Sequence, residues 1–233
     1  DTSPTLSSFS VNMQVGQIYL TFDEPMNNSL FSTEITVSNM VNISHPDFES
    51  YNLTGGDLIS ASSGDTVLAL QMTAADIRSI KLEHPDLWAG QASSFISFAA
   101  STAEDTAGNE IEDVSATQAT GFTSDASRAE FVGFDVNMAT GFITLTFSDV
   151  LIASTLDSPE LTLRASTTGT GITYTLAGTS GTSSPDGYYI AIALSEADKV
   201  GIELTDDLFT ELNDTYVLFT AGLIDDSFGR DAV

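Results

Sequence analysis

The chain has 233 residues, with 33 Asp plus Glu against 6 Lys plus Arg, a formal charge of −27 and no cysteine. That balance excludes ordinary nucleic-acid binding and docking on an anionic leaflet, both of which need Lys and Arg to meet phosphate. The missing cysteines exclude a disulfide scaffold, a thiolate nucleophile and Cys-type metal centres, while 42% hydrophobic residues and 14 Phe suffice for a real core.

Along the first half the pattern is that of short strands. Ile18, Leu20 and Phe22 alternate with Gln17, Tyr19 and Thr21, the period of two that puts one set on a buried sheet face. Similar runs occur at Ile35/Val37, Tyr51/Leu53, Leu68–Met72 and Phe95–Phe98, separated by Ser, Gly, Asp and Asn clusters that suit turns. One helical element follows the fourth run. Thr73 is placed to cap it and Asp76 sits at its third position, as in a capping box. One to three turns are expected, crossing between sheets, with Ile77 and Ile80 facing the core. Trp88 is expected as a core anchor.

The second half repeats the first. Phe9 through Phe22 aligns with Phe134 through Phe147, sharing Phe, Val-Asn-Met, Gly, Ile and Leu-Thr-Phe at a constant offset. Tyr51-Asn-Leu53 aligns with Tyr174-Thr-Leu176, Thr73-Ala-Ala-Asp76 with Ser195-Glu-Ala-Asp198, and Leu87-Trp88 with Leu208-Phe209. Asp105-x-x-Gly108 aligns with Asp226-x-x-Gly229. Val200 and Ile202 are the expected core positions of the second helix. The order of matches is kept, so two tandem copies are read, residues 1–121 and 122–233, with the Ser/Thr/Ala/Gly-rich stretch 118–131 as the linker. The charge divides evenly, −14 and −13, which makes acidity a property of the repeat. The second copy stops short of the counterpart of Glu112–Ala116, so its last strand is expected to be missing. The repeat favours a window cut from a longer array. The expected fold class is all-β: two tandem Ig-like β-sandwich domains, each with one short helix crossing between sheets.

Gly16-x-Ile-x-Leu-Thr-Phe-x-Glu-Pro25 followed by Asp105-Thr-Ala-Gly-Asn109 resembles the bacterial Ig-like domains of surface-layer proteins and giant adhesins. The variant with a helix after the central strand also resembles repeats of very large marine bacterial and algal surface proteins. The second copy departs, with Ser148-Asp149-Val150 and Ser227-Phe228-Gly229-Arg230 at the two motif positions. The resemblance implies an extracellular, non-enzymatic module that spaces, adheres or assembles. Its partners would be neighbouring repeats, other copies of itself, extracellular matrix or glycans. A calcium-assisted carbohydrate- or matrix-binding module is the alternative reading.

Candidate sites are few. His45 and His84 each precede Pro-Asp and have no counterpart in the other copy, so they read as turn residues. No Gly-x-Ser-x-Gly elbow or phosphate-cradling loop occurs, and no enzyme is expected. No cofactor is required. Calcium, which takes six to eight hard oxygens, is the candidate ion. Asp105 and Asn109 on one turn, Asp226 on its partner, and Asp125 and Glu130 at the linker (with Asp135 nearby) are its candidate ligands. Asn27, Asn42, Asn52 and Asn213 open glycosylation sequons. One of Tyr188 and Tyr189 must face outward if Ile190 and Ile192 face inward. The two lysines, Lys81 and Lys199, do not align, which argues against a Lys–Asn isopeptide cross-link. No run is long enough to span a membrane.

Overall fold

The computed structural model describes residues 2–59, 64–84, 86–168 and 171–233. It is mostly β and divides into two compact units, Asp1–Ser127 and Arg128–Val233.

Unit 1 carries β1 (Leu6–Asn12), β2 (Gln17–Phe22), β3 (Met26–Leu30), β4 (Thr36–Ser38), β5 (Ser50–Asn52), β6 (Asp57–Leu58) and β7 (Val67–Gln71). Helix α1 (Ala74–Glu83) follows, then β8 (Phe95–Phe98), β9 (Ala103–Asp105), β10 (Val114–Gln118) and β11 (Gly121–Thr123). One sheet has the order β11-β1-β2-β7-β6 and the other β10-β8-β4-β5, with β3-β9 as a two-stranded ladder. The alternation does what the sequence predicts: Ile18, Leu20 and Phe22 are buried while Gln17, Tyr19 and Thr21 are not. They share one core with Val37, Ile96 and Phe98 of the other sheet, so each sheet buries its apolar face against its partner.

Unit 2 carries β12 (Phe131–Asn137), β13 (Phe142–Leu151), β14 (Leu161–Arg164), β15 (Thr173–Thr175), β16 (Gly181–Thr182) and β17 (Gly187–Ala193), then α2 (Glu196–Glu203) and β18 (Tyr216–Phe219). Its sheets are β12-β13-β17-β16 and β15-β14-β18. The two main sheets keep the strand order of unit 1, with one difference. The outer partners β11 and β10 have no counterparts among the described residues.

Both helices link the two sheets of their unit, and both start at the expected N-cap, although in unit 2 Ser195 N donates to Ser180 Oγ, so the reciprocal half of a capping box is not made there. The Thr73 hydroxyl accepts from Asp76 N at 3.0 Å and the Ser195 hydroxyl from Asp198 N at 3.1 Å. Ile80 and Ile202 are buried, but Val200 is 50% exposed. The expectation for Val200 fails on helical geometry: at about 100° per residue, the face holding Asp198 and Ile202, four apart, turns position 200 outward.

The division falls at Ser127/Arg128, not at 121/122. Part of the expected linker is strand: β11 pairs in parallel with β1, with Ser10 opposite Gly121 and Asn12 opposite Thr123. The polar, small-residue stretch completes unit 1 through its backbone.

Candidate functional site

The aligned residues of the two halves meet at one place in each unit. In unit 2, Asp198 is fully buried at the third position of α2. Its Oδ1 accepts from the Tyr174 hydroxyl at 3.0 Å and from Ala177 N at 2.9 Å. Its Oδ2 accepts from the hydroxyls of Ser180 at 2.6 Å and Ser195 at 2.8 Å. In unit 1 the fully buried Asp76 accepts on Oδ1 from the Tyr51 hydroxyl at 2.8 Å, from Thr54 N at 3.0 Å and from the Thr54 hydroxyl at 2.8 Å. A carboxylate thus ties the helix start to the strand carrying Tyr51 or Tyr174, which lies in the opposite sheet from the strand that leads into the helix.

Burial works to raise the Asp198 carboxyl, but the Ser180, Ser195, Ala177 and Tyr174 donors together hold it below the ordinary 3.8. Burial, then the bond to the carboxylate, pushes the Tyr174 phenol up, and Tyr51 moves the same way for the same leading cause. A phenol held protonated against a carboxylate is a pin rather than a base. The two hubs differ in their donors: Asp76 has the Thr54 hydroxyl, which Ala177 cannot supply, and neither of the two hydroxyls that reach Asp198 Oδ2. Asp57 pairs with Gln71 and Gly181 with Ala193, each two residues before its cap, so Gly56 occupies the place of Ser180. Asp76 Oδ2 has no donor among the described residues.

The Asp-x-x-Gly turns are likewise one structure built twice. Asp105 Oδ1 accepts from Ala107 N and Asn109 N, both at 2.8 Å, and Oδ2 from Asn109 Nδ2 at 2.7 Å. Asp226 Oδ1 accepts from Phe228 N at 2.9 Å and Arg230 N at 3.0 Å, and Oδ2 from Arg230 Nε at 2.7 Å. Gly108 and Gly229 both hold φ in the left-handed region, +87° and +70°, where a Cβ is strained. The side-chain donor of Asn109, and then its backbone, hold the Asp105 carboxyl below its ordinary range. Both carboxylates are buried and engaged by their own turn.

Asp125 belongs to unit 1, where Lys81 Nζ lies 2.5 Å from its Oδ2 and Ser127 N donates to Oδ1 at 2.9 Å. Both side chains of this ion pair are almost fully buried, 4% and 1% exposed. Glu130 and Asp135 are exposed in unit 2. Among the described residues no three His, Asp or Glu side chains are grouped to hold a metal ion.

Asn27, Asn42, Asn52 and Asn213 are all exposed. His45 lies in a turn where its Nδ1 accepts from Asp47 N at 3.2 Å, and His84 ends α1 with its ring 5.6 Å from that of Tyr51. Trp88 is buried, and its indole N–H donates to Phe95 O at 3.3 Å. Trp88 and Phe209 both take φ near +57°, an uncommon state for a bulky side chain that recurs at aligned positions. Tyr189 is the outward tyrosine, with Ile190 and Ile192 buried.

Sequence reasoning finds Asp76 and Asp198 as helix-cap partners and misses their union with Tyr51 and Tyr174. The signal was there, since all four are aligned polar or phenolic positions beside apolar runs.

No helix among the described residues is long and apolar enough to cross a membrane. No family model matches the chain, and no curated protein does. Among solved structures, the crystal structure of the S-layer protein rSbsC(31–844) is similar over 83% of this chain, at 12% identity and a TM-score of 0.33. The chain spans 26% of that chain's length, and a likeness this faint carries no argument about function.

Proposed function

We propose that the chain is a pair of consecutive Ig-like repeats from an extracellular array, acting as a spacer, filament or adhesin segment without catalysis. The observation that supports this best is that each unit has its own hydrophobic core and carries its own copy of the carboxylate hub and Asp turn. A module reused along a chain is built from such repeated units. A surface with a large negative charge, repeated in each half, keeps such an array soluble and self-repelling. The exposed sequons are the positions a secretory pathway would glycosylate, which intact-mass measurement on protein from its source tests directly. For the location, antibodies raised to the chain are applied to intact and permeabilised source cells. Labelling of intact cells is the expected result, and labelling only after permeabilisation refutes the reading. A glycan array read with and without calcium tests the binding alternative.

A further inference from the structure

The two units differ chiefly in what covers one side. In unit 1 the segment Val114–Thr123 runs antiparallel to β8, crosses at Ala119, and continues parallel to β1. Its backbone is bonded at each step: Ala119 N to Ser94 O at 2.8 Å, Thr120 N to Phe9 O at 2.8 Å, and Met13 N to Thr123 O at 2.9 Å. Beneath it Phe9, Val11 and Met13 are only 1%, 2% and 5% exposed. In unit 2 the same three residue types, Phe134, Val136 and Met138, are half-buried. Among the described residues β12 pairs on one side alone, with β13, and β18 on one side alone, with β14. A groove runs there, lined by Phe134, Val136, Met138, Phe209 and Thr215. At its rim stands Leu212, 87% exposed, where unit 1 has Gln91 donating to Ala119 O and Thr120 O.

We infer that this groove of unit 2 receives an extended, uncharged strand of the Val114–Thr123 type, supplied by the next repeat segment of the array. This rests on the tandem-repeat reading and adds how one unit is completed. Unit 1 supplies the template. The occupant offers backbone donors to Thr215 O and Phe134 O and an acceptor to Met138 N. It places a small residue at the crossing, as buried Ala119 does, and an apolar ring over the core, as Phe122 does. Strand addition takes most of its affinity from such main-chain bonds and its selectivity from alternate side chains. The apolar surface left open in unit 2 supplies the drive. In unit 1, Glu112 N bonds to Pro4 O and Ile111 N to Ala103 O; in unit 2, Val233 N bonds to Ala129 O and Ala232 N to Ile224 O. Val233 therefore stands where Glu112 stands, one residue from where the covering strand departs after Asp113.

The test compares the 233-residue chain with a version extended after Val233 by the sequence of residues 113–127. Tethering supplies a high effective concentration, so a weak strand still docks. Hydrogen exchange is expected to slow by about tenfold or more on β12, β18 and the added segment. Melting of unit 2 is expected to rise by about 4–8 °C or more. Placing Arg at the added counterpart of Ala119 is expected to abolish both effects. The capped peptide VSATQATGFT, added in trans at 150 mM NaCl, is expected to protect the same strands. Unchanged exchange on β12 and β18 in the extended chain overturns the inference. So does a dimer in which β10 and β11 of unit 1 lose their protection, since the strand would then be exchanged between copies. Neither result bears on cell-surface location, so the two readings fail separately.

Discussion

The hub of unit 2 makes a sharp prediction, because its four donors to Asp198 come from separate parts of the unit. Tyr174→Phe removes one hydroxyl and leaves Oδ1 with Ala177 N. A hydrogen bond to a charged group contributes about 1.5–3 kcal/mol, and here the carboxylate keeps its other donors, so the expected loss is about 1–2 kcal/mol. For a unit of this size that lowers the melting temperature by about 5–15 °C. Asp198→Ala is different in kind. It leaves a buried amide and three hydroxyls without their acceptor, at about 1–3 kcal/mol for each group that finds no water. The expected loss of about 4–6 kcal/mol is comparable to the whole stability of a small unit. The double variant should lose little more than Asp198→Ala alone, because the two residues share one interaction. Urea unfolding of the four proteins gives these differences, and hydrogen exchange shows that protection is lost in unit 2. Additive losses, or a Tyr174→Phe variant as stable as the parent, would refute the hub as the tie between helix and sheet. In unit 1, Gly56→Ser should not supply the missing donor to Asp76. Gly56 has φ of +141°, and a Cβ there would lie 2.6 Å from Gln71 O.

Three other outcomes follow from the same geometry. Lys81→Met should cost about 3–5 kcal/mol, because it removes the cation that faces the buried Asp125 carboxyl, and Lys81→Met with Asp125→Leu should recover most of it, both read by urea midpoint. The Asp198 carboxyl lies below its unfolded value, so the unfolded state takes up the proton more readily. Its contribution to stability is therefore full above about pH 4 and is lost as pH falls further, which an acid titration of unfolding free energy should trace and Asp198→Asn should flatten. Calcium at 100 times its Kd would add about 2.7 kcal/mol, or roughly 10–20 °C. Carboxylates held by their own turns predict a far smaller rise when calcium is added to the chelated protein, and a rise of that size would support calcium binding at Asp105 and Asp226.

Much of the fold was legible because its signal is local. Ile18, Leu20 and Phe22 announce a half-buried strand by alternation alone, and the repetition of that run at Ile143, Leu145 and Phe147 announces the second unit. Thr73 and Ser195 announce helix starts three residues before the acids they cap. What was illegible depends on partners far along the chain. Tyr51 and Asp76 meet across 25 residues and Tyr174 and Asp198 across 24, and nothing in either segment states that a strand of one sheet faces a helix leaving the other. β11 was hidden for another reason. Pairing through backbone amides leaves no mark on side chains, and Gly121-Phe122-Thr123 has one apolar residue with which to betray a strand.

The acidity of the chain is not one property. Six acids are buried among the described residues, Asp76, Asp105, Asp125, Asp149, Asp198 and Asp226, and none of them is Glu. The difference is length. An Asp carboxylate one methylene from its backbone can take amides two and four residues on, as Asp105 and Asp226 do, or sit inside the first turn of a helix, as Asp76 and Asp198 do. A Glu carboxylate swings past those donors and gains more by staying in water. Burying an anion is costly unless chain donors replace its water, and with six cations in the whole chain most of those donors have to be amides and hydroxyls. Hence the Ser, Thr and Tyr around Asp198, and hence an Arg230 that does for Asp226 what the neutral Asn109 does for Asp105. In a chain without cysteine, these carboxylates tie helix starts and turns without covalent bonds.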